Sequence, residues 1–141
     1  MTESSRSGTG PVTEATGRKL GEIRRALLLV HKALLDSEQR AYERSHGRVE
    51  TTGELLQIVL HDPRFAWLKM FSELVVRIEE LQEADEPARE DQALALIREV
   101  HETAKPSEVG SRFERKYYAA LQRDPGVVIA HGELMRVIGD K

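Results

Sequence analysis

The stretch LGEIRRALLLVHKALL, Leu20 to Leu35, decides the fold. Within it Leu20, Ile23, Leu27, Val30 and Leu34 recur at alternating spacings of three and four, which sets them on one stripe of an α-helix. Leu28, His31 and Leu35 widen that stripe. Beyond Leu35 the same face turns polar. Gly47 supplies a stop, because a residue without Cβ enters the left-handed conformation that ends helices. The spacing predicts a helix from Arg18 to His46, roughly 40 Å long at the usual rise per residue and able to serve as the spine of a bundle.

Working outward, Thr51 and Glu54 have the capping-box spacing and open a second helix. Its Leu55, Leu56, Ile58, Val59 and Leu60 are apolar almost all round, so burial is expected. Asp62-Pro63 breaks it and starts another, since Asp caps well and Pro fits the first helical position. That helix carries Phe65, Leu68, Phe71, Leu74, Val75, Ile78 and Leu81 at helical spacing, with Trp67 beside them. Asp85-Glu86-Pro87 repeats the device and predicts a helix over 87–104 with Leu94, Ile97, Val100 and His101 inward. Ser107 is the expected cap of the next, with Val109, Phe113, Tyr117, Ala120 and Leu121 inside. Asp124-Pro125 opens the last, whose apolar face reads Val127, Val128, His131, Leu134, Met135 and Ile138.

No segment alternates with period two, and hairpin pairs of the Asn-Gly type are absent. The expectation is an all-α, four-helix-type bundle with short extra helices joined at Asp-Pro junctions. Residues 1–17, rich in Ser, Thr and Gly, read as a disordered tail ahead of a single domain over 18–139. One core suits a chain of 141 residues.

Composition excludes more than it assigns. A net charge of -3 argues against a dedicated nucleic-acid binder, which needs a basic excess to displace counterions. The absence of cysteine removes disulfides, thiolate nucleophiles and Cys-type zinc sites. No apolar run approaches the roughly 20 residues of a membrane span, and no secretory signal opens the chain, so no membrane partner and a cytoplasmic location are expected. Phosphate loops, dinucleotide fingerprints and nucleophile elbows are missing, so neither a cofactor nor a catalytic set is assigned.

Four features deserve weighing against blander readings. His31, His101 and His131 fall on predicted apolar faces and are candidate metal ligands, yet none has Glu three residues before it or a second His four residues on. Separate, hydrogen-bonded imidazoles are the plainer reading. Glu38 and Tyr42 continue the row of Leu28, His31 and Leu35, so an acid and a phenol point to where the core should be. They suggest a polar pocket or an acid–base pair needing a raised carboxyl pKa, set against a helix that simply outruns the core. Basic residues cluster at Arg18, Lys19, Arg24, Arg25 and Lys32, and again at Arg112, Arg115, Lys116 and Arg123. They are capable of docking an acidic partner, but Glu14, Glu22, Glu108 and Glu114 intersperse them and solvated helix faces explain them. Adjacent Tyr117 and Tyr118 cannot share one stripe, so Tyr118, with Trp67, is an interface candidate.

The strings LLDSEQRAYERSHG (Leu34 to Gly47), LLQIVLHDPRFAWL (Leu55 to Leu68) and YYAALQRDPGVVIAH (Tyr117 to His131) resemble an uncharacterised group of small bacterial all-helical proteins. The resemblance spans roughly Leu27 to Ile138 and implies a bacterial, cytoplasmic, stand-alone domain. It brings no catalytic residues. The leading expectation is a non-enzymatic interaction or self-association module, with a protein partner or homodimer. The alternative is a small-ligand or metal-binding bundle using His31, Glu38, Tyr42, His101 or His131.

Overall fold

Thr13 opens the first helix: its Oγ1 accepts from the backbone N–H of Thr16 at 3.1 Å. In the computed structural model, which describes residues 10–139, α1 therefore runs Glu14–His46. This corrects the expected start at Arg18, and with it the reach of the tail. Residues 10–13 are tied down as well. Val12 N–H donates to the Ala88 carbonyl at 3.1 Å, and Glu90 N–H donates to that of Gly10 at 2.8 Å. The Glu90 carboxylate accepts from Thr13 N–H at 2.9 Å and from the Thr16 hydroxyl at 2.6 Å. An acidic group at a helix start also meets the positive end of its dipole. Residues 1–9 of the expected tail lie outside the described residues.

The decisive stripe is buried throughout: Leu20, Ile23, Leu27, Val30 and Leu34 lie in the core. Of the residues expected to widen it, His31 and Leu35 are half-buried and Leu28 is exposed. The helix ends at Gly47, whose φ of 88° a side chain would strain.

After α2 (Thr52–His61), the chain passes through a 3-10 segment (Pro63–Leu68) directly into α3 (Lys69–Glu83). Asp62 serves both sides of the break. Its N–H donates to the Ile58 carbonyl at 2.8 Å, and its carboxylate accepts from Arg64 N–H at 2.8 Å. Phe65, Trp67 and Leu68 are buried, as are Phe71, Leu74, Val75 and Ile78.

The expected burial of α2 is wrong. None of its residues is buried, and Leu56 and Leu60 are 54% and 63% exposed. The reason is competition for one surface: α3 and α6 cover the α1 stripe, leaving α2 to lean on the 3-10 segment through Ile58 and Val59.

Three further expectations shift. Helix α4 (Glu90–Thr103) starts beyond Pro87, and it buries Ala93, Leu96, Ile97 and Val100 while Leu94 faces out. Ser111, not Ser107, caps α5 (Arg112–Arg123) in a complete capping box with Glu114, so Val109 is left in an exposed loop. Helix α6 (Pro125–Ile138) is capped by Asp124 and buries Val127, Ala130, Leu134 and Ile138, with Val128 outside.

The described residues are all-α, without a strand; Pro11 and Arg89 form an isolated bridge. Helix α1 is the hub, packed against α3, α6, α4 and the 3-10 segment. An aromatic block joins the rest: Phe113 lies 5.7 Å from Trp67 and 5.3 Å from Phe71, and Phe71 meets Tyr117 edge-on at 5.3 Å. Among the described residues no helix is long and apolar enough to cross a membrane.

Candidate functional site

At the polar end of α1, Ser37 and Glu38 are buried. Glu38, one turn beyond Leu34, is only 3% exposed, and its Oε2 accepts from Trp67 Nε1–H at 3.1 Å. The Arg123 guanidinium, from the last turn of α5, approaches the same oxygen at 3.4 Å. Arg123 Nε–H also donates to the buried Ser37 hydroxyl at 2.9 Å. Three elements thus meet at one carboxylate. A buried charge without partners would be costly, and here donors from the 3-10 segment and α5 supply the compensation.

Arg40 extends the network outward by pairing with Asp124. Partial burial works against the Asp124 charge, but hydrogen bonds from Arg40, Gly126 N–H and Ser37 outweigh it and hold the carboxyl below its usual range. The same side chain caps α6, with its Oδ1 3.1 Å from Gly126 N. The network therefore fastens the α5–α6 turn to α1. With both donors on Oε2, Glu38 is built as a staple between helices.

Tyr42 takes no part in it. Its ring is half-buried, stacked on His46 at 4.2 Å and 8°, with Phe65 at 6.2 Å and the Arg64 guanidinium 5.9 Å above it. The expected Glu38–Tyr42 pairing is not made, because Tyr42 lies one turn further out where α1 leaves the core.

The histidines separate by environment. Nδ1 of His131 on α6 shares a hydrogen bond with the hydroxyl of Tyr117 on α5 at 2.5 Å. Burial raises the pKa of Tyr117 far above its ordinary value and lowers that of His131, so both groups of the pair favour their neutral forms. Burial also lowers the pKa of His31. His101 is half-buried on α4 and is partnered. Among the described residues no three His, Asp or Glu side chains gather as a metal would require.

Trp67 is buried, with its ring edge against Phe113 and its N–H on Glu38, so in this chain it is a core residue. Tyr118 is half-buried. Sequence reasoning singled out Glu38, and Asp124 as a cap, but missed Ser37, Glu90 and the Arg40–Asp124 pair; the partners of Glu90 and Ser37 lie 74 to 86 positions away. No local spacing signals such pairs. No protein family, curated protein or solved structure matches this chain.

Proposed function

We propose that the protein is a non-enzymatic helical interaction module, and that α2 is the element through which it associates with a second copy. The observation behind this reading is the exposure of Leu56 and Leu60 on a helix with no buried residue. Residues 55–60 carry no charge, so pairing two copies of this face sets no like charges opposite each other. The frame we assign is a four-helix-type bundle of α1, α3, α4 and α6, with α2 and α5 joined to it at Asp62-Pro63 and Asp124-Pro125. The central packing of α1 against the other three supports it. A bacterial, cytoplasmic setting is supported by the three sequence strings given above.

Light scattering over a concentration series tests the reading. The wild-type chain should gain mass with concentration, whereas Leu56→Glu with Leu60→Glu should stay at monomer mass with unchanged helical circular dichroism. A wild-type monomer at every concentration, or a variant that associates equally well, overturns it.

A further inference from the structure

The two basic clusters of the sequence part company in the structure. In the first, Arg18 meets Glu14, Arg24 meets Glu79 and Lys32 meets Asp36, with Lys19 and Arg25 outside these pairs; in the second only Arg123 is paired among the described residues, with Glu38. Glu114 forms no ion pair with the other three: it folds back to accept from Ser111 N–H at 2.7 Å as half of the α5 capping box, its charge remaining beside them. Arg112, Lys116 and the nearby Lys69 make no ion pair with any described residue. Arg112, Arg115 and Lys116 instead line a recess of about 340 Å³. Arg112 is also a wall of a second, largely apolar groove of about 420 Å³, floored by Trp67, Met70 and Phe113, with Lys69 and Glu73 at its rim.

A cationic strip beside an apolar slot is a recognition pattern with two requirements. Its occupant must bring carboxylates for the guanidinium and ammonium groups, and one bulky apolar side chain for the slot. We propose that the start of α5 and the adjoining 3-10 segment dock an acidic peptide segment of a partner protein, with an apolar anchor seated over Trp67. Charge complementarity selects this occupant. The chain's net charge of -3 disfavours extended polyanions, while a short acidic segment needs only the local cations. The surface is separate from the α2 face, so it goes beyond the association proposed there.

The chain contains one tryptophan, and it lines the groove, so its emission reports occupancy directly. The test titrates the full chain with a short synthetic peptide of Glu and Asp around one central Phe. Saturable change in Trp67 emission is expected, weakening at least about tenfold on raising salt or in Arg115→Glu with Lys116→Glu. Replacing the peptide's acids by amides, or its Phe by Ala, should weaken binding similarly. Arg98→Glu, on exposed α4 surface, should leave it unchanged, as should the α2 variants. Calorimetry guards against a silent fluorophore. Absence of both heat and emission change overturns the proposal. So does unaltered affinity in the charge-reversed variant, or tighter binding of an RNA oligomer or anionic vesicles than of the peptide.

Discussion

Glu38 shows what a single acid does inside an apolar framework. Its carboxylate satisfies the Trp67 indole N–H and faces Arg123, whose side chain is one-third exposed and so partly solvated. Glu38→Ala leaves the Trp67 indole N–H without an acceptor and Arg123 without its counter-charge, and should cost about 3 kcal/mol. Glu38→Gln keeps a carbonyl for the indole and should cost about 1–2 kcal/mol. Urea unfolding distinguishes them; equal losses would mean that the cavity, not the lost acceptor, sets the cost. The acid itself was legible, because it stands in register with an apolar row. Its partners were not, since Trp67 comes from another helix and Arg123 read as one of many solvated cations.

At the scale of elements, the α5–α6 contact should respond to pH through His131, while Tyr117 stays protonated throughout. Folding lowers the His131 pKa, so the unfolded chain takes up the proton first. Stability from this group is therefore complete above the unstrained value of 6.5 and drains away as the pH falls below it. His31, also lowered by burial, acts in the same direction. Urea midpoints should decline between neutral pH and about pH 5, and less steeply in His131→Gln. A parallel decline in that variant would rule His131 out as a source. Element type and order were readable wherever a stripe was narrow, as in α1. Helix α2 misled because an all-round apolar pattern states a preference for burial without saying whether a site is vacant. Leu94 and Val128 were misjudged for a related reason: in a helix of 14 residues, two adjacent stripes fit the pattern equally well and only the neighbours choose.

For the molecule as a whole, α1 is held at its start and along its length as far as Glu38. Glu90 secures its start, the stripe its middle and Glu38 its lower half. Glu90→Ala removes the acceptor for Thr13 N–H and the Thr16 hydroxyl. Amide exchange over residues 12–17 should quicken by about tenfold or more, while that of α6 stays slow. Uniform acceleration across the chain would show that the strap stabilises everything and not only its own end.

The broad contact between α1 and α6 bears on how the protein is made. A ribosome delivers the leucines of α1 early and their covering residues, Val127 and Leu134, near the end. At ordinary elongation speed the nascent stripe waits on the order of 10 s for its cover. Chains stalled before Pro125 therefore carry an α1 stripe that α3 covers on one side while the side meant for α6 stays open, and should be preferred clients of chaperones and proteases.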